Sequence, residues 1–140
     1  MFLVMVSNLS RIEEISVLAS GANWAWPVAL RSIFAPRQVN LLLAEEATDF
    51  VSIIDTRRIH AAIVDMDSRS ENALATVRII RKGYPRLPCI MLANAAREAL
   101  ISRALQLGVF SVIDKPVDMV LLQDQLNRLF VKRYDSNVFA

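Results

Sequence analysis

The second half of the chain alternates short apolar runs with amphipathic segments, and this alternation limits the fold more than any other feature. The apolar runs are HAAIVD (60–65), LPCIMLA (87–93) and VFSVID (109–114). The segments with apolar side chains at helical spacing are 71–82, 95–107 and 118–134. Strands that alternate with helices of about 10–15 residues predict a parallel sheet with helices on both faces.

The N-terminal third admits two layouts, because short apolar runs do not distinguish a strand from a helix by periodicity alone. In the layout that we favour, FLVMV (2–6) is a strand and a helix follows over residues 9–21. Ser10 and Glu13 have capping-box spacing at the start of that helix, and Gly21 is placed to end it.

The favoured layout continues with a strand at WPVALRSIF (26–34) and a long helix over 36–55, with Pro36 in its first turn. In the alternative layout, residues 23–34 are helical and VNLLLA (39–44) is the strand. We prefer the first layout because the capping box completes a clean strand–helix unit before it.

Length and composition indicate one globular domain over residues 1–140, since the chain is 54% hydrophobic and contains only 3 glycines. The net charge of +2 is too even to point to nucleic acid or a membrane as the main partner. The single cysteine, Cys89, excludes an internal disulfide and fits a reducing cytoplasm. The apolar N-terminus is too short for a signal peptide or a membrane span. We expect His60 to be solvated or to cap a neighbouring element.

Polar side chains follow the predicted strands, and in parallel sheets chemistry collects at the carboxyl ends of the strands. Asp65 ends the third strand, Ala93 the fourth, and Lys115 and Pro116 follow the fifth. With their strand ends as neighbours, we expect Asp65 and Lys115 to form a close ion pair.

From about residue 58 to 133 the chain resembles the receiver domain of bacterial two-component response regulators. The segments that carry the resemblance are AAIVDMD (61–67), VRIIRKGYPRLPCIMLANA (77–95) and ALQLGVFSVIDKPVD (104–118). It implies an α/β, flavodoxin-like (βα)₅ fold, with a doubly wound parallel five-stranded sheet in the order 2-1-3-4-5. It also implies that Asp65 occupies the phosphoacceptor position and Lys115 the phosphate-binding position, with a cis bond to Pro116.

The chain departs from this family where Mg²⁺ would bind. The family carries two acidic residues at the end of its first strand, which corresponds here to residues 7–8 in the favoured layout or 19–23 in the alternative. Neither stretch contains a carboxylate. Asp65, even helped by Asp67, makes a poor Mg²⁺ site, so we expect no bound cofactor and impaired phosphorylation.

Two switch positions depart as well. Ala93 stands where the family has a serine or threonine whose hydroxyl contacts the phosphoryl group. Val112 stands where the family usually has an aromatic ring that changes rotamer. Together with the missing acids, these changes are typical of a degenerate receiver, or pseudo-receiver.

We therefore predict a signalling domain, not an enzyme, that acts by contact with a histidine kinase or another signalling protein. The fourth helix, fifth strand and fifth helix would present the partner surface and could also form a homodimer. Its predicted members are Arg97, Arg103, Gln106, Val112, Gln123, Asn127 and Arg128. Nucleic acid would be contacted only through an additional effector domain.

Two alternative interpretations stay open. In the first, the chain is a working response regulator that is phosphorylated on Asp65 and controls a transcriptional effector. In the second, it is a phosphatase-like enzyme in which Asp65 is the nucleophile of an Asp-x-Asp motif completed by Asp67.

Overall fold

The computed structural model describes residues 14–20, 26–44, 47–66, 70–94 and 98–140. Within these ranges the chain alternates five strands with five α-helices, and one 3₁₀ turn lies at Ala35–Arg37. The strands are β1 (Ile15–Ser20), β2 (Val39–Ala44), β3 (Ala61–Met66), β4 (Cys89–Asn94) and β5 (Ser111–Lys115). The helices are α1 (Trp26–Phe34), α2 (Ala47–Thr56), α3 (Ser70–Gly83), α4 (Glu98–Gln106) and α5 (Met119–Tyr134).

The strands form a single parallel sheet in the order β2-β1-β3-β4-β5. This confirms the predicted fold class and strand order. Each helix begins on the side where the preceding strand ends, so the helix amino termini and the strand carboxyl ends share one edge of the molecule.

The helix predicted over residues 9–21 is wrong, because Ile15–Ser20 is the strand β1. This strand lies between β2 and β3, and Val17, Leu18 and Ala19 are fully buried. A strand buried on both faces is a continuous apolar run without alternation, so its periodicity does not reveal it. The capping-box residues and the predicted strand at residues 2–6 lie outside the described residues.

The predicted strand at WPVALRSIF is also wrong, because this segment is the helix α1. Leu30, Ile33 and Phe34 are buried at helical spacing, which is the pattern of an amphipathic helix packed on a sheet.

The long helix predicted over 36–55 is wrong in turn, since the region divides into β2 and α2. Pro36 lies in the 3₁₀ turn, and Gln38 then adopts a left-handed conformation (φ 58°) that ends the turn before β2. The alternative layout, with VNLLLA as a strand, is confirmed.

Beyond residue 58 the predicted elements are confirmed with small shifts of their bounds. The predicted final helix, 118–134, is observed as α5, and Asp118 caps it by accepting hydrogen bonds from the backbone N–H groups of Val120 and Leu121. Such a cap satisfies donors that have no partner inside the helix.

Alternate residues of the strands supply two hydrophobic layers. On one face, α1 and α5 pack on the sheet, with Phe34, Leu126 and Phe130 among the buried side chains. On the other face α2, α3 and α4 do so, with Phe50 and Ile80 among the buried side chains. The sheet is therefore covered on both sides, as expected for parallel strands.

Residues 135–140, which we call the C-terminal strap, fold back between α1 and α5. Asp135 adopts a left-handed conformation (φ 51°) after α5 and turns the chain. Phe139 is buried, with its ring centroid 5.3 Å from that of Phe34 and 5.0 Å from that of Phe130. The Gln123 side chain donates a hydrogen bond to the Phe139 carbonyl at 3.1 Å. The strap thus completes the core on this face.

His60 is buried, at 8% exposure, so the expectation of a solvated side chain is wrong. Its Nδ1 accepts a hydrogen bond from the Ser16 backbone N–H at 3.2 Å, which ties the start of β3 to β1. The Tyr134 hydroxyl donates to the His60 carbonyl at 2.5 Å, which fixes the end of α5.

Candidate functional site

The carboxyl ends of β3 and β5 bring Asp65 and Lys115 together as an ion pair between Lys115 Nζ and Asp65 Oδ1. The Asp65 side chain is 6% exposed and that of Lys115 is 17% exposed. We expected the ends of β3 and β5 to be neighbours, but β4 lies between them. Lys115 pairs in register with Asn94 beyond the level of Asp65, so its long side chain reaches past the end of β4.

Three further predicted positions lie on β4, on β5 and directly after Lys115. The Lys115–Pro116 peptide bond is cis, as the family resemblance implies. Ala93 is buried near the end of β4 and brings only a methyl group, which cannot donate a hydrogen bond. Val112 is half-buried in β5 and has an aliphatic side chain, at the position where the resemblance implies an aromatic ring.

Ser20 is a site residue whose role was not predicted from the sequence. It ends β1, which neighbours β3, and its Oγ accepts a hydrogen bond of 2.8 Å from the Asp65 backbone N–H. A polar residue at a strand end, combined with the strand order 2-1-3, is the signal that could have identified it. The hydroxyl fixes the backbone at Asp65 and lies within residues 19–23, the stretch that the alternative layout aligned with the family's acidic pair.

The described residues at this site do not fit a Mg²⁺ ion. A hard cation takes several oxygen ligands, commonly with one or two carboxylates. Here the described part of the chain offers Asp65, whose charge Lys115 already balances, and the Ser20 hydroxyl, which is engaged by a backbone N–H. No group of three or more histidine, cysteine or acidic side chains able to hold a metal is found among the described residues. Asp67 lies outside them.

Only some residues of the predicted partner surface are exposed. Arg103 and Gln106 on α4 and Arg128 on α5 are exposed, and Arg128 pairs with Asp124 at 3.1 Å. Gln123 instead turns to the C-terminal strap through its bond to Phe139. Asn127 is half-buried, and Arg97 lies outside the described residues. The same two helices also expose the apolar residues Leu105, Val120 and Leu121.

In the part of the chain that the structure describes, every helix is too short or too polar to cross a membrane. No curated protein matches the chain in sequence.

Several solved structures share this architecture. The signal receiver domain of an HD domain-containing protein from Pseudomonas fluorescens Pf-5 matches with a TM-score of 0.78 at 18% identity, over 89% of this chain and 100% of that one. A two-component response regulator from Clostridium difficile matches with a TM-score of 0.77 at 14% identity, over 88% and 100%. The signal receiver domain of a signal transduction histidine kinase from Syntrophus aciditrophicus gives 0.72 at 18% identity, over 86% and 93%.

At these identities the structural matches establish the fold alone. The sequence itself identifies the family, because residues 27–127 match the family described as "Response regulator receiver domain". That range holds both members of the Asp65–Lys115 pair and most of the sheet. The chain belongs to the response regulator receiver domain family.

Proposed function

We propose that this chain is a degenerate receiver domain, spanning residues 1–140, that signals through protein contacts and has lost efficient Mg²⁺-dependent phosphorylation at Asp65. The observation that carries the proposal is the state of Asp65, which is neutralised by Lys115 and lies beside the Ser20 hydroxyl instead of a second carboxylate. Receiver domains generally act as signalling modules, and we propose that this one turns over no substrate.

The chemistry of phosphoryl transfer supports this proposal. Transfer to an aspartate brings further negative charge to a carboxylate, and a metal ion normally neutralises it. Here Lys115 supplies one positive charge, and the described residues offer no set of ligands for a divalent ion. Ala93 has no hydroxyl with which to bind a phosphoryl oxygen, so a phosphoryl group would also lack the contact that pulls its loop inward.

The same features indicate how the domain is controlled. A ligand shifts a conformational equilibrium only by binding one state more tightly than another. Without a phosphoryl switch, we propose that a cytoplasmic partner, such as a histidine kinase or another signalling protein, sets the conformation by docking on α4, β5 and α5. Exposed apolar and basic side chains on α4 and α5, among them Leu105 and Arg128, support this surface. A nucleic acid would be reached only through an additional effector domain.

Intact-mass spectrometry after incubation with acetyl phosphate and Mg²⁺ tests the proposal. We expect no stoichiometric gain of one phosphoryl group, and no difference between the wild-type protein and Asp65→Asn. A stoichiometric gain that Asp65→Asn abolishes would overturn the proposal in favour of a working response regulator. A tight, Asp65-dependent response to beryllofluoride would do the same, whereas Asp65-dependent turnover of generic phosphoesters would favour the phosphatase-like alternative.

The variant Ser20→Asp isolates the metal half of the proposal, because it places a carboxylate beside Asp65. We expect millimolar Mg²⁺ to raise the midpoint of thermal unfolding for Ser20→Asp but not for the wild type or the uncharged control Ser20→Asn. An equal response of all three proteins would contradict the proposed reason for the lost metal site.

A further inference from the structure

The outer edge of the sheet is formed by an unusually apolar strand. In the described part of the chain β2 pairs only with β1, and its sequence VNLLLA contains no charge and no proline. The pairing with β1 is continuous over all six residues, so no bulge interrupts the edge. Leu43 is 39% exposed, and Leu41 and Leu42 are half-buried. Proteins usually protect such edges with charges, prolines or bulges, and β2 itself contains none of these, which favours pairing with another strand.

The backbone of β2 has hydrogen-bonding groups that point away from the sheet. In β1, the N–H and C=O of Ser16 both face β3, where they contact His60. Backbone direction alternates along a parallel strand, so the groups of Val17 face β2 and meet the residues on either side of its register partner, Leu41. Consequently, the N–H and C=O groups of Val39, Leu41 and Leu43 point outward at the edge.

A groove of about 760 Å³ lies beside the first half of β2. Its apolar lining comes from Ile15, Phe34, Ala35, Val39, Leu41 and Val138, and the charged residues Glu14, Arg31 and Arg37 also line it. The groove therefore adjoins the outward-facing groups of Val39 and Leu41, on the sheet face that packs against α1. An added strand would find both backbone partners and a recess with apolar and charged walls at this position.

We propose that the edge of β2 binds a second copy of this chain, with the two β2 strands antiparallel about a two-fold axis at Leu41. A two-fold axis perpendicular to the sheet keeps each face continuous across the join and places Leu41 opposite Leu41 of the partner subunit. Val39 then lies opposite Leu43 of the partner subunit, and each such pair exchanges two backbone hydrogen bonds.

The two-fold arrangement also explains why the exposed leucine and the groove occur on one strand. Leu43, the most exposed residue of β2, would enter the partner's groove beside Val39, and the partner's Leu43 would do the same in return. An interface that is repeated by symmetry needs this self-complementarity. The dimer joins two five-stranded sheets into one continuous sheet and is independent of the phosphorylation state of Asp65.

Sedimentation velocity over a range of protein concentrations tests the proposal. We expect the wild-type protein to dimerise and Leu43→Arg to raise the dimer dissociation constant by about 100-fold, because the substitution acts twice across the axis. Ile79→Arg is the matched control, since Ile79 on α3 is an aliphatic residue of similar exposure, at 46%, that lies outside both β2 and the surface of α4, β5 and α5. We expect this control to remain dimeric.

A second variant tests the register without depending on a charged substitution. In a Cys89→Ala background, Leu41→Cys should form an interchain disulfide under mild oxidation much faster than Ile79→Cys. A wild-type protein that is monomeric at every concentration would overturn the proposal. Loss of the dimer in Ile79→Arg but not in Leu43→Arg, or equal cross-linking of the two cysteine variants, would also overturn it.

Discussion

At the scale of single residues, the Asp65–Lys115 pair has the clearest energetic consequences. Both side chains are largely removed from water, and each charge is compensated by the other. Removing one member of a buried pair leaves an uncompensated charge, which costs more than removing both members. The pair therefore contributes to the folded state whether or not the site carries out any chemistry.

We expect Lys115→Met to lower the free energy of unfolding by about 3 kcal/mol at neutral pH. The double variant Asp65→Asn/Lys115→Met should lose about 2 kcal/mol less than the sum of the two single variants. Urea unfolding measures each value. Arg128→Met is the control, because it breaks the exposed pair with Asp124 and should cost less than about 0.5 kcal/mol. Strict additivity of the two single changes would contradict the coupling.

Ser20 illustrates what the sequence could not supply at this scale. Asp65 and Lys115 were predicted at strand ends because each follows a recognisable apolar run, whereas the cis bond to Pro116 was implied by the resemblance to receiver domains. The hydrogen bond from the Asp65 backbone to Ser20 joins residues 45 positions apart. It depends on Ser20 ending β1, whereas the favoured layout of the N-terminal third put the first strand at residues 2–6.

At the scale of elements, the C-terminal strap is part of the hydrophobic core, because its Phe139 is as buried as the core side chains of α1 and α5. Phe139 packs between the aromatic rings of Phe34 and Phe130, and the Gln123 side chain holds its carbonyl. A residue that follows the last helix is thus part of the layer formed by α1 and α5.

We expect Phe139→Ala to lower the free energy of unfolding by about 3–5 kcal/mol, because it removes a buried ring and leaves a cavity. The neighbouring control Asn137→Ala should change the value by less than about 0.5 kcal/mol, since its side chain is exposed. Denaturant unfolding followed by circular dichroism distinguishes the two. Equal stability of Phe139→Ala and the wild type would show that the strap is not packed in solution.

The elements also show why half of the chain was predicted more accurately than the rest. From β3 onward, each apolar run is followed by a helix with a clear polar face. The continuous apolar run of a strand can therefore be told apart from the 3.6-residue repeat of a helix. In the N-terminal third, β1, α1 and β2 are all dense in apolar residues, and a serine–glutamate spacing resembled a helix start. The fold class was still correct, because it depends on the alternation of elements and not on their individual bounds.

At the scale of the whole molecule, two titratable groups, buried Cys89 and partly exposed Tyr134, link the stability of the fold to alkaline pH. Burial raises the pKa of Cys89 from 9.0 to about 11, against the opposing effect of Arg81. Burial also raises the pKa of Tyr134, against the opposing effects of Arg133 and Arg58. Both groups are therefore harder to ionise in the folded protein than in the unfolded chain.

We expect the ionisation of Cys89 to leave the free energy of unfolding unchanged below pH 9 and to lower it between pH 9 and 11. In that range the unfolded chain loses the thiol proton first, so ionisation favours unfolding, by up to about 2–3 kcal/mol for a shift of this size. Chemical denaturation at a series of pH values measures the slope. Cys89→Ala should remove most of this decrease in the free energy of unfolding below pH 10. An identical slope in the variant and the wild type would show that Cys89 is not its cause.

The docked strap has a practical consequence for any probe attached to this protein. Because Phe139 is anchored between two helices, a fluorophore coupled at residue 140 has almost no free tether on which to swing. Its anisotropy decay should report the rotation of the entire particle, which makes this position a sensitive indicator of whether two sheets have joined. The same dye on the Phe139→Ala variant would regain fast local motion.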